Sequence, residues 1–262
     1  MMNFNDKASI YDKIASSQNE AADILYQEII NTCALVDTAN VLDLGCGTGY
    51  LSRKLSDEYS FVTGIDISEE MLQQASDQGG NVDYALRDAA ELNEHLEYDL
   101  ITANSLTYYI SDLPTAFKSY YNALKPGGYF ALQSQTALSP QFVRAFHSLK
   151  KNAIAKPFID GFKLLANMQC QQKLSEYIQV AGFRLILEKT RHFRTRCTPE
   201  KALDIFKAGT ATPLLNPKGY DRKLTSEYKK LFWQYIQESI ESQSIDNQFT
   251  LEFSRVFIIA VK

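Results

Sequence analysis

Seven residues, Asp43-Leu44-Gly45-Cys46-Gly47-Thr48-Gly49, join a short apolar run at 40–44 to a stretch in which Leu51 and Leu55 recur at helical spacing. A buried strand, a glycine turn and a helix in direct succession open a parallel α/β unit, because a crossover helix is what returns the chain for a second parallel strand. Gly45 allows the sharp turn and Gly47 lets backbone approach a ligand, since neither carries a Cβ. Gly49 can bring the helix close to the strand. Dinucleotide-binding folds use a related turn with the spacing G-x-G-x-x-G. Here the spacing is G-x-G-x-G, and an acid, Asp43, precedes it.

That acid sorts the ligands. A pyrophosphate wants backbone N–H groups and the positive end of a helix, and a nearby carboxylate repels it. A cationic ligand wants the reverse. S-adenosylmethionine (SAM) carries a sulfonium and an ammonium group, and suits such a site. Asp66 closes the next apolar run about 20 residues beyond the first glycine, the usual place for a carboxylate that holds ribose hydroxyls. Asp88 follows the third run, within reach of an adenine ring, with Ala89 alongside. A single aspartate of this kind reads as well as a loop cap; three at successive strand ends read as one site.

The alternation that carries them continues. Strands are expected at 61–65, 82–86, 100–103, 129–132 and 183–187, and a long last one at 249–261. Ser68 caps a helix with Glu69 and Glu70 in its first turn and Met71, Leu72 and Ala75 on its apolar side. Asp112 caps another, in which Leu113, Phe117, Tyr120, Tyr121 and Leu124 recur helically before Lys125-Pro126-Gly127-Gly128 stops it. Gly182 ends a helix containing Leu174, Tyr177 and Ile178. Three segments stand outside the alternation: a helical lead-in at 1–36 and insertions at 138–170 and 198–247. Ser139-Pro140 and Thr198-Pro199-Glu200 open helices in the insertions. Open α/β sheets bind ligands beyond the strands' carboxyl ends, so these helices are expected to form a lid on a single domain spanning 1–262.

Three segments, Val41-Leu42-Asp43-Leu44-Gly45-Cys46-Gly47-Thr48-Gly49, Gly64-Ile65-Asp66-Ile67-Ser68 and Leu124-Lys125-Pro126-Gly127-Gly128, resemble the motifs of the class I SAM-dependent methyltransferases. The resemblance covers residues 40–132. It implies a Rossmann-like, mostly parallel seven-stranded sheet with the last strand antiparallel. It also implies SAM contacts at Asp43, Gly45, Cys46, Gly47, Asp66, Ile67, Asp88, Ala89 and Asn104.

The outer segments narrow the family. Phe4-Asn5-Asp6-Lys7-Ala8-Ser9-Ile10-Tyr11-Asp12 with Gln18, then Phe206-Lys207-Ala208-Gly209-Thr210-Ala211-Thr212, then Phe249-Thr250-Leu251-Glu252-Phe253, are similar to the malonyl-[acyl-carrier protein] O-methyltransferases of biotin synthesis. This implies a methyl acceptor that is a free carboxylate on a carrier-bound acyl chain, with Tyr11 and Gln18 closing over sulfonium and acceptor. Packing of an N-terminal helix is the plainer role for both. The chain departs from that group at 132–137 and where Tyr109-Ile110 replaces Gln-Trp. The acceptor therefore stays open to an N, C or phenolic O centre of a small metabolite. A SAM-binding regulator without catalysis would show a damaged turn, and this one is intact.

Methyl transfer is an in-line displacement whose positive charge is dispersed in the transition state, so alignment and water exclusion supply most of the acceleration. A carboxylate is already ionised at neutral pH and needs no general base, which agrees with the lack of a His or Glu base near the motifs. Lys207, beside an expected turn at Gly209-Thr210-Ala211-Thr212, is a candidate partner for an acceptor carboxylate. Arg144, Lys150, Lys151, Lys156 and Lys163 make the first insertion basic, a docking patch for an acidic carrier or a solvated face.

Composition sets bounds. No apolar run approaches the roughly 20 residues of a membrane span, and the N-terminus lacks signal-peptide order; a cytoplasmic protein is expected. The four cysteines are scattered without a C-x-x-C pair, which excludes a zinc cluster, and a net charge of −4 argues against nucleic acid as a partner. The sequence leaves the oligomeric state open.

Overall fold

The structure, a computed structural model, describes residues 16–90 and 92–262. Its strands β1 (Asn40–Leu44), β2 (Phe61–Asp66), β3 (Asp83–Leu86), β4 (Tyr98–Asn104), β5 (Leu124–Gln135), β6 (Arg184–Cys197) and β7 (Phe249–Val261) run in the order β3-β2-β1-β4-β5-β7-β6. The first five pair in parallel, and β7 lies antiparallel against β5, the Rossmann-like arrangement that the motifs implied. The helices are α1 (Ser16–Thr32), α2 (Tyr50–Ser56), α3 (Glu69–Asp77), α4 (Leu113–Ala123), α5 (Pro140–Ser148), α6 (Gln171–Ala181), α7 (Pro199–Ile205) and α8 (Ser226–Ser242), with a few single turns besides. The chain builds β1, β2 and β3 outward, then returns to place β4 on the other flank of β1. At that reversal of strand order, an open α/β sheet has its ligand crevice.

Local chemistry sets the helix ends as expected. The Ser68 hydroxyl accepts from the Met71 N–H at 3.3 Å and Asp112 from the Thr115 N–H at 3.1 Å. Helix α4 stops where Leu124 turns extended, with Pro126 excluding helical backbone at Lys125. Gly182 closes α6 at φ 116°, a conformation that suits glycine.

The register separates the two faces of the sheet. Asp43 pairs with Thr102, Asn104 with Gln133, and Gln135 with Arg255. With a side-chain period of two, all six lie on one face. The opposite face carries Leu42, Leu44, Ile101, Ala103, Phe130, Leu132 and Ile258, each at most 1% exposed. Helices α4 and α6 join that apolar core through Phe117, Tyr120, Leu174 and Ile178. Phe130 is its aromatic centre, with ring centroids 5.5 Å from Phe117 and 5.6 Å from Phe183.

The chain divides into two compact units. One holds residues 167–191, 255–262 and the described residues up to 136; the other holds 137–166 and 192–254. The second unit therefore gathers both helical insertions around a core of their own. Phe142, Phe206, Tyr228, Phe232 and Phe249 are fully buried there, Phe142 standing edge-on to Phe206 at 5.1 Å.

Four local expectations are corrected. β6 runs to Cys197 rather than stopping at 187, because its charged second half, mostly exposed, forms a sheet edge where apolar alternation is not required. β5 starts at Leu124 and ends at Gln135, longer at both ends than 129–132, since pairing with β4 and β7 buries Gln133 and Ser134. The Gly-Thr-Ala-Thr segment expected as a turn is helical, π-helical over Phe206–Thr210 and α-helical over Ala211–Leu214. Burial of Phe206, Ala211 and Leu214 there outweighs the helix-weakening Gly209. Ser139 precedes α5, but its hydroxyl donates to Gln141 Oε1 at 2.6 Å instead of capping a helix N–H.

Phe117→Ala removes a fully buried ring and is expected to cost about 3–5 kcal/mol in urea unfolding. Val180→Ala, on the outer side of α6 at 76% exposure, should stay within about 0.5 kcal/mol of the parent.

Candidate active site

The glycine turn follows β1 directly, and its three glycines have φ of 60°, 56° and 76° at Gly45, Gly47 and Gly49. Such backbone is costly for any residue with a Cβ. A Cβ at Gly45 would also lie 2.7 Å from Leu106 Cδ1, and one at Gly49 would collide with the Tyr84 hydroxyl and meet Arg53 Nη1 at 2.9 Å. At Gly47 it would meet no protein atom within 4 Å. Gly45 and Gly49 are thus required by packing, while Gly47 leaves its side of the turn open.

Two aspartates secure the turn. Asp66, the last residue of β2, accepts the Gly47 N–H at 3.0 Å on Oδ2 and the Ser68 N–H at 2.9 Å on Oδ1. Burial pushes its carboxyl up, against the pull of those backbone bonds. Asp43 sits behind the turn at 2% exposure. Ser52 Oγ of α2 donates to its Oδ2 at 2.6 Å and Thr102 Oγ1 of β4 to its Oδ1 at 2.7 Å. Burial raises its pKa to about 6 even though both hydroxyls favour the charged form. Burial and then Asp43 and Asp66 push the Cys46 thiol well up.

The other expected positions lie along the same row of carboxyl ends. Ile67, 46% exposed, follows Asp66. Asp88 is exposed two residues past β3, with Oδ1 accepting the Ala90 N–H at 2.9 Å. Ala89 is buried, and its carbonyl accepts the Tyr120 hydroxyl at 2.9 Å. Asn104 ends β4, and its Oδ1 is buried without a partner among the described residues. From β3 through β2 and β1 to β4 the row spans about 14 Å. A nucleoside joined to an amino acid has the matching order of groups: base, ribose, cation, α-amino group.

Tyr11 lies outside the described residues. Gln18 is half-buried in the first turn of α1. That helix is tied down further along: Tyr50 Oη donates to Asp23 Oδ1 at 2.9 Å, and Lys189 and Arg191 pair with Glu28 at 2.9 and 3.1 Å. In the second unit, Lys150 and Lys156 share Asp160 at 3.2 and 3.4 Å, and Lys207 pairs with Asp204 at 3.9 Å. The basic segment there is partly neutralised by its own acid.

Sequence reasoning missed Ser52 and Thr102, which carry no signal beyond an ordinary hydroxyl. It also missed Gln133, Ser105 and Arg255. Arg255, 2% exposed inside the apolar run of β7, was the one of these with a visible sign: a charge where the strand pattern calls for an apolar residue.

The comparisons bear on this site. Residues 41–128 match the family described as a methyltransferase domain. A malonyl-[acyl-carrier protein] O-methyltransferase of Salmonella typhimurium is 33% identical over 158 residues, 60% of this chain and 61% of that protein, so the match spans about three-fifths of the relative's length. A second such enzyme, from Ilyobacter polytropus, is 26% identical over 216 residues, 73% of this chain and 82% of its own. Among solved structures, the YcgJ protein of Bacillus subtilis covers 93% of this chain and 98% of itself with a TM-score of 0.61 at 15% identity. A geranyl diphosphate methyltransferase in complex with SAM covers 93% and 84% with a TM-score of 0.54 at 13% identity. These two share the fold. The glycine turn and the acids at successive strand ends all fall within the residues matched to the methyltransferase domain, and over that region the chain is similar to methyltransferases.

Proposed function

We propose that the chain methylates a free carboxylate on a short acyl group held by a carrier protein, in a reducing, cytoplasmic compartment. The observation that carries the reading is the row of carboxylate and amide groups from Asp88 through Asp66 and Asp43 to Asn104, joined to a site without a general base among the described residues. When bound, SAM supplies an electrophilic methyl carbon, which an acceptor oxygen takes as the C–S bond breaks and S-adenosylhomocysteine leaves. The rest falls to the protein. Asp66 holds the turn and offers its remaining lone pairs to ribose hydroxyls. Asn104 Oδ1, buried and without a partner among the described residues, accepts from an ammonium group. Asp43 acts from behind the turn through its charge, since both its oxygens already accept hydroxyls. Ile67 and Ala89 flank the adenine, and Tyr11 and Gln18 exclude water from the acceptor side. The matched relatives named malonyl-[acyl-carrier protein] O-methyltransferase support the carboxylate. The four free thiols support the compartment, and no helix among the described residues is long and apolar enough to cross a membrane.

Release of S-adenosylhomocysteine from SAM and a malonyl carrier protein tests the activity. Turnover restricted to amine or phenol acceptors would replace the carboxylate, and SAM binding without any turnover would leave a regulator.

Three further outcomes are expected. An acid raised to about 6 in the folded chain makes folding less favourable as pH rises from its unfolded value near 4, and the penalty is complete above 6. A bound cation offsets that penalty. SAM affinity measured by calorimetry should therefore fall by up to about tenfold per pH unit below 6, with proton release on binding, and Asp43→Asn should flatten the profile. Gly47→Ala should cost about 1–2 kcal/mol of stability for its backbone and weaken SAM binding more than tenfold, since the new methyl enters the open side of the turn. Tyr11→Phe and Gln18→Ala should lower turnover at unchanged melting temperature; unaltered turnover and SAM affinity would assign both to packing.

A further inference from the structure

The sheet face that carries Asp43, Thr102 and Asn104 continues across β5 and β7 as Gln133, Gln135 and Arg255. Gln133 is fully buried. Its Oε1 accepts the Ser105 hydroxyl at 2.8 Å, while its Nε2 is buried with no acceptor among the described residues. The same Ser105 oxygen faces Arg255 Nη1 at 3.4 Å. Ser105 holds φ 59°, a strained conformation for a serine, which its backbone N–H stabilises by donating to the Gln133 carbonyl at 3.0 Å. An amide donor without an acceptor, a guanidinium at 2% exposure and a hydroxyl between them therefore converge beside Asn104.

A buried N–H without an acceptor costs about 1–3 kcal/mol. Such donors persist where something accepts from them. Two orphaned side-chain atoms have opposite character and belong to residues that are paired neighbours on β4 and β5: an acceptor, Asn104 Oδ1, and a donor, Gln133 Nε2. The first suits an ammonium group, the second an anion. We propose that Gln133, Ser105 and Arg255 form the subsite that binds the acceptor's carboxylate, an assignment that rests on the carboxylate reading above. One carboxylate oxygen takes the Gln133 amide and the Arg255 charge, and the other is left to receive the methyl. The ester that forms has lost the charge these groups recognise, so the subsite releases product as it binds substrate.

The test uses the full chain saturated with S-adenosylhomocysteine, titrated calorimetrically with a malonyl pantetheine thioester and with its methyl ester. The parent should bind the acid more than tenfold tighter than the ester. Gln133→Glu, which keeps an acceptor for Ser105 but replaces the donor with a negative charge, should abolish that preference. Gln133→Met and Arg255→Met should reduce it at least fivefold, and Arg255→Lys should retain part of it. The affinity for S-adenosylhomocysteine reports whether each variant is folded. An acid preference that survives in every folded variant overturns the subsite, as does a parent that binds acid and ester alike. Failure of the carboxylate reading is distinct: the parent then binds the acid but transfers no methyl to it.

Discussion

The structure depends most on one buried carboxylate. Asp43 is placed under the glycine turn by β1, and its two oxygens are taken by a hydroxyl from the following helix and one from the neighbouring strand. Those bonds lock three elements, β1, α2 and β4, at the point where the strand order reverses. They also keep a charge in a place that resists it, which burial would otherwise neutralise. A cation over the turn would relieve that cost. Glycine makes this compatible with close packing, because Leu106 and Tyr84 occupy the positions that side chains at 45 and 49 would need.

From that point the polar face of the sheet runs in two directions. Toward β2 and β3 it presents carboxylates, and toward β5 and β7 it presents an amide and a guanidinium. The opposite face of the same strands is apolar and packs on α4 and α6. This division follows from the two-residue period of a strand: a single residue's slip in the β4–β5 register would put Asn104 and Gln133 on opposite faces. The sheet is both core and electrostatic template. Its acid-rich half suits a sulfonium and an ammonium group, and its donor-rich half suits an anion.

Some of this was legible in the residues. The turn, the acids at 43, 66 and 88, the caps at Ser68 and Asp112 and the stop at Gly182 are local: each rests on a conformation or hydrogen bond within a few positions along the chain, and the pattern carries it. The end of β6 was not legible, because charged residues on a sheet edge look like a loop. The helix over 206–214 was not legible either, because burial against residues distant in sequence overrides the break that Gly209 suggests. Ser139 has the look of a cap, yet the carboxamide of Gln141 claims its hydroxyl.

The sequence by itself determined the parallel α/β architecture, the order of its strands along the chain and the acids that flank the glycine turn, since these depend on periodicity, glycine conformation and the sign of a charge. Only the tertiary structure decided that both insertions share one core, that Asp43 faces Ser52 and Thr102 rather than solvent, and that Asn104, Gln133 and Arg255 meet on one face. These are matters of strand order and register. They join residues up to 150 positions apart, and nothing local to any one of them records the others.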